Sequence, residues 1–200
     1  MASIDCSLSA NCFIDETAAT TNYGGIQIDV GEISGGTQKR RSLIKFDLSG
    51  IDSTAIFDTV TLKLYKDVSD LSSNTRTMRV YRVKRAWSQA GCTWNKYDGT
   101  NNWSTAGCGD TTNDRDGTDI GSISMPDVTS AGYKEITLTP SSVNDWINGG
   151  MTNNGMVVIM DTETDDMQRF DGPTPGYSNP PILSITYHLP ESGGFYHMSV

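Results

Sequence analysis

The run Thr59-Val60-Thr61-Leu62-Lys63-Leu64-Tyr65 alternates between polar and apolar side chains. A period of two puts Val60, Leu62 and Leu64 on one face of an extended strand and Thr61 and Lys63 on the other. Arg41 to Leu48 behaves the same way, with Ile44, Phe46 and Leu48 inward and Lys45 and Asp47 outward. Leu183, Ile185 and Tyr187 repeat the pattern near the C-terminus. Gly155 to Met160 is apolar throughout, as expected of a central strand covered on both faces. Turn chemistry separates these runs: Asn22-Tyr-Gly-Gly, Ser34-Gly-Gly, Asn148-Gly-Gly and Asn153-Asn-Gly. The reading is an all-β, single-domain antiparallel jelly-roll-like β-sandwich with one short helix. The domain runs over 11–188, between an N-terminal segment at 1–10 and a C-terminal arm at 189–200.

The helix is expected at Pro140-Ser-Ser-Val-Asn-Asp-Trp-Ile-Asn-Gly-Gly. Ser141 or Ser142 is placed to cap its start, and Gly149 or Gly150 suits a left-handed stop. Val143, Trp146 and Ile147 fall on one face and are expected to plug one end of the sandwich. A long loop follows Val80-Tyr81-Arg82-Val83 and carries Trp87, Trp94 and Trp103 together with Cys92 and Cys108. A loop of this length needs its own small core or a covalent staple to hold a shape.

Several segments carry a resemblance. They are NCFIDETAATTNYG (11–24), RSLIKFDLSGI (41–51), TVTLKLY (59–65), VYRVKRAWSQAGCTWNKYDG (80–99) and NWSTAG (102–107), followed by GYKEITLTPSSVNDWINGGMTNNGMVVI (132–159) and PPILSITY (180–187). Over roughly 11–187 the chain is similar to the DNRLRE-type domain family. These are carbohydrate-binding-module-like β-sandwiches of secreted bacterial proteins and phage particles. The family's Asp-Thr-Tyr opening is Asn11-Cys12-Phe13 here, and the string that names the family is absent. The resemblance implies binding rather than turnover, and it implies packing roles for Trp87 and Trp94.

The 200 residues carry 24 acidic against 15 Lys and Arg side chains, so the formal net charge of −9 repels phosphate backbones and argues against nucleic-acid partners. The basic run Lys39-Arg40-Arg41 reads as a solvated edge. No apolar stretch is long enough to span a bilayer. The opening MASIDCSLSANCF has neither a basic n-region nor an apolar h-region. That fits a protein made in the cytosol and released by lysis, as a phage structural protein is, or one whose signal has been removed.

The four cysteines admit three pairings. Cys92 with Cys108 closes the Trp-rich loop, and a closed loop of about fifteen residues contributes about 3 kcal/mol in the chain-entropy model. Cys6 and Cys12 either pair across a short turn or are buried free thiols. With only His188 and His197 in the chain, no Ser-His-Asp or Cys-His machinery is in view, and no nucleotide or zinc-protease motif occurs. The protein reads as a non-enzyme.

Asp110, Asp114, Asp116 and Asp119 share one loop, and hard carboxylate oxygens around a Gly turn suit a structural Ca²⁺. A second acidic group is Asp161, Glu163, Asp165 and Asp166. Sugar binding uses exposed aromatics flanked by polar side chains. Tyr97 and Trp103, with Asn101 and Asn102 and the nearby Asn95, supply those parts, although loop tryptophans commonly build a local core.

Two functions follow. The first is a structural or decoration protein on the virion surface, at the head or in a tail appendage. It would hold other virion proteins or copies of itself through the arm residues Phe195, Tyr196, His197 and Met198. The alternative is an extracellular carbohydrate-binding module that binds polysaccharide.

Overall fold

The Thr59–Tyr65 alternation lies within the longest strand of the computed structural model, which describes residues 1–33, 38–66, 74–125, 130–164, 166–175 and 178–191. In chain order the strands are β1 (Ala2–Cys6), β2 (Leu8–Asp15), β3 (Tyr23–Gly24), β4 (Ile28–Glu32), β5 (Lys39–Phe46), β6 (Ile56–Lys66), β7 (Arg76–Arg82), β8 (Gly121–Met125) and β9 (Gly132–Leu138). After the helix α1 (Pro140–Asn144) come β10 (Met156–Met160), β11 (Met167–Phe170) and β12 (Ile182–His188). All pairings are antiparallel.

One layer runs β1-β12-β6-β9 and the other β3-β2-β5-β10-β7-β8. The pair β4-β11 joins them, meeting β5 through Gly31↔Arg40 and Glu32↔Lys39 and meeting β6 at Phe170↔Lys66. Val60, Leu62 and Leu64 of β6 face Ile44, Phe46, Met156, Val158, Met78 and Val80 across the sandwich. Each such side chain, fully buried, contributes about 1.5–3 kcal/mol. The lower edge of the core is plugged as expected by Val143 and Trp146, with Ile147 packed against them.

β10 is buried at every position. Met156, Val158 and Met160 enter the inner core, while Val157 and Ile159 enter a second cluster on the outer face of the same layer. That outer cluster also takes Cys12 and Ile14 from β2, Leu43 from β5, and Trp87, Cys92, Trp94, Trp103 and Cys108 from the long loop. The Trp-rich loop is therefore the outer cover of the second layer.

Some expectations change. Residues 1–10 are built into the sandwich, as β1 pairs with β12 and Leu8 begins β2. The helix is a single short piece that starts with Pro140 at its first turn. Thr139 occupies the cap position without a side-chain hydrogen bond, so neither Ser141 nor Ser142 caps it. Reverse turns then carry the chain to Gly149, whose φ of +84° is the expected left-handed stop. The basic run is no solvated edge. Arg40 pairs with Asp15 at 2.8 Å and Asp29 at 2.6 Å, and Arg41 pairs with Glu163 at 2.8 Å. The turn at Ser34 and the arm residues Phe195, Tyr196, His197 and Met198 lie outside the described residues. Among the described residues no helix is long and apolar enough to cross a membrane.

Candidate functional site

The segment between β7 and β8 has no strand of its own, and its backbone is held by hydrogen bonds that cross it. Ser88 N–H donates to the Tyr97 carbonyl at 3.0 Å, Thr93 N–H to Lys96 at 2.8 Å, Tyr97 N–H to Asn101 at 3.0 Å and Trp103 N–H to Asn95 at 3.1 Å. The tryptophans pin it from beneath. Trp87 Nε1 donates to the Asn154 carbonyl at 2.7 Å, and Trp103 Nε1 donates to the Thr93 carbonyl at 3.0 Å. The Arg41 guanidinium lies 5.1 Å over the Trp94 ring. Trp87 and Trp94 pack, as the resemblance implied, and Trp103 packs with them.

Above Trp103 this scaffold leaves a cleft of about 540 Å³, lined by Thr20, Asn22, Thr93, Asn95, Lys96 and Asn102, with small residues between them. The indole is only 4% exposed, so it forms the floor rather than a stacking platform. Asn95 and Asn102 are exposed on the walls. The lining holds one cation, Lys96, and no carboxylate, in a chain whose net charge is −9. A pocket with an apolar floor and amide and hydroxyl walls is suited to a ligand carrying many hydroxyl groups and a weakly apolar ring face.

Of the expected sugar residues, Trp103 and Asn102 line this cleft, as does the nearby Asn95. Tyr97 does not; its ring packs at 5.6 Å from the Trp103 ring, with the Arg85 guanidinium 5.6 Å away. Asn101 does not either, because its side-chain amide donates to Asp98 at 2.7 Å. Asp98 also accepts the Asn101 and Thr100 backbone N–H groups, and these bonds, that of Asn101 foremost, hold its carboxyl below the usual range. Thr20 and Asn22 are wall residues that the loop sequence does not suggest. They come from the β2–β3 connection, marked in the sequence by the turn motif at Asn22 and by the segment 11–24 that carries the resemblance, neither of which points to a wall.

The acidic loop is tied up internally. Asp114 is wholly buried and accepts Ser104 N–H and Arg85 Nε on one oxygen, and Thr105 N–H and Asp110 N–H on the other. Asp110 caps its own turn through Thr112 and Asn113 N–H at 2.7 Å each. Asp116 pairs with Arg82 at 2.7 Å and Asp119 with Arg79 at 2.7 Å. The spacing that suggested Ca²⁺ thus spreads these carboxylates over separate partners. Among the described residues no three His, Cys, Asp or Glu side chains gather as a cation site. In the second acidic group, Glu163 forks onto Arg41 and Asp166 lies 2.7 Å from Arg76, while Asp165 is outside the described residues.

All four cysteines are buried thiols in this structure. Cys6 belongs to the inner core and Cys12 to the outer cluster, so the layer itself separates them and they cannot pair across a turn. Cys92 and Cys108 share the outer cluster without a bond between them.

The fold that carries the cleft is an antiparallel β-sandwich. The family model of carbohydrate-binding module family 96 matches residues 2–106, more than half of the chain, and the chain belongs to that family. No curated protein matches it. The matched span contains β1 to β7 and every residue lining the cleft.

Proposed function

We propose that this protein is a non-catalytic, extracellular carbohydrate-binding module that holds polysaccharide in the cleft above Trp103. The observation that carries the reading is that every residue lining this cleft falls within the segment matching carbohydrate-binding module family 96. The DNRLRE-type resemblance points the same way. Exposed amides of Asn95 and Asn102 and the hydroxyl of Thr20 supply donors and acceptors for sugar hydroxyls. Lys96 supplies one cation for a uronate unit. Each neutral hydrogen bond of this kind contributes about 1 kcal/mol, so a module of this design binds single sugars weakly and gains from repeated engagement along a polymer.

Of the two functions read from the sequence, the family match favours this one over decoration of a phage particle, for which no observation speaks. The test is affinity electrophoresis of the purified chain through gels containing neutral or uronate-bearing polysaccharides. Retardation by at least one, relieved by its own soluble oligosaccharide, supports the reading. Unretarded migration in all of them overturns it.

A further inference from the structure

Cys12 on β2 and Cys92 in the loop are both fully buried in the outer cluster, where the Cys12 thiol lies 3.3 Å from the Phe13 carbonyl oxygen and 3.4 Å from that of Cys92. One side chain clamps the two: Asn22 Nδ2 donates to the Cys92 carbonyl at 2.7 Å and sits 3.8 Å from Cys12 Sγ. Asn22 is also a wall of the cleft. Of the remaining cysteines, Cys108 shares the outer cluster and Cys6 does not. Cys108 Sγ is directed at the Asp114 carbonyl at 3.8 Å, and Cys6 lies in the inner core. The Cys12 side chain beside it, and then burial, push the Cys92 thiol up, so Cys92 stays protonated and unreactive once the loop has closed.

We propose that Cys12 and Cys92 are a disulfide pair, made while the chain folds in an oxidising compartment, that ties β2 to the loop carrying the cleft. The two thiols give up two protons and two electrons as the S–S bond forms. A disulfide oxidant such as glutathione disulfide takes them up and leaves as two thiols. The oxidant acts before the loop packs, since neither sulfur is accessible afterwards. The bond spans 80 positions in sequence, so it restrains the unfolded chain far more than a Cys92–Cys108 bond would. It also fixes the wall supplied by Thr20 and Asn22 against the wall supplied by Asn95, Lys96 and Asn102. The inference does not depend on what the cleft binds.

The full-length chain is refolded from denaturant in a glutathione redox buffer, unfolded again in iodoacetamide without reductant, and digested with trypsin and chymotrypsin. Chymotryptic cleavage after Leu8 separates Cys6 from Cys12. Mass spectrometry is expected to find a peptide joining Cys12 to Cys92, with Cys6 and Cys108 alkylated. A Cys92–Cys108 link, any other link, or four alkylated cysteines overturns the assignment.

Discussion

Gly107 and Trp94 are locked together from two directions. The Gly107 N–H donates to the Trp94 carbonyl at 2.7 Å, and a Cβ at position 107 would stand 2.7 Å from the Trp94 ring. The ring has no room to give way, because Arg41 covers it and its own Nη1 donates to the Gly107 carbonyl at 2.7 Å. With φ at +76°, position 107 also sits in the left-handed region that side chains disfavour. Gly107→Ala is expected to lose about 2–3 kcal/mol from strain and overpacking together. Calorimetry should record a melting temperature lower by roughly 5–10 °C. An unchanged transition would mean that the loop is not packed as described.

Arg41 and Glu163 form a buried fork, with Nε and Nη2 each 2.8 Å from a carboxylate oxygen and both side chains largely covered. Removing one partner strands the other charge, so Glu163→Ala should cost about 3–5 kcal/mol. Replacing both, as Arg41→Met with Glu163→Leu, should cost less than the single change. Urea denaturation of the two variants measures this, and a double variant that loses as much as the single one would contradict it.

Asp114 has no oxygen to spare for a cation, since its two oxygens already accept four donors. Asp114→Asn swaps an acceptor for a donor that faces N–H groups, and should destabilise by about 2–3 kcal/mol. Millimolar Ca²⁺ or a chelator should leave the wild-type melting temperature where it is. A Ca²⁺-dependent rise in that temperature would restore the cation site that the acidic spacing suggests.

Asp15 sets an acid limit. Burial works to raise its pKa, but hydrogen bonds from Gln38, Thr17 and Arg40 outweigh burial and hold it below the usual range. A carboxyl depressed in the folded state stabilises the fold above its unfolded pKa of about 4 and loses that contribution as pH falls through the folded value. Stability should therefore drop on acidification below about pH 4. Denaturation midpoints between pH 3 and 6 should fall less steeply in Asp15→Asn than in wild type. Parallel curves would remove Asp15 from the account.

Val60, Leu62 and Leu64 were legible as core because a strand repeats its environment every second residue, and their burial follows from that period alone. The all-apolar β10 was legible for a related reason, as neither face could be given to water. The loop has no period. That Trp103 is a floor, that Tyr97 leans on it and that Asn101 serves Asp98 are results of packing over the outer layer. Charges misled for the same reason: Arg40 and Arg41 looked exposed because Asp15, Asp29 and Glu163 are distant in sequence. The turn at Asn22-Tyr-Gly-Gly was visible, but not that it would stand across the cleft from Asn95 and Asn102.

The most direct test of polysaccharide binding in the cleft is a calorimetric titration of wild type and of Asn95→Ala with Asn102→Ala. The ligand is the polysaccharide that retards wild type most strongly. Both side chains are exposed, and the backbone groups of Asn95 that bond Ala19 and Trp103 are untouched, so the variant should melt with wild type. Losing two hydrogen bonds of about 1 kcal/mol each should weaken its binding by roughly thirtyfold. Equal affinity in a variant that folds normally would place the sugar elsewhere on the molecule and contradict the account.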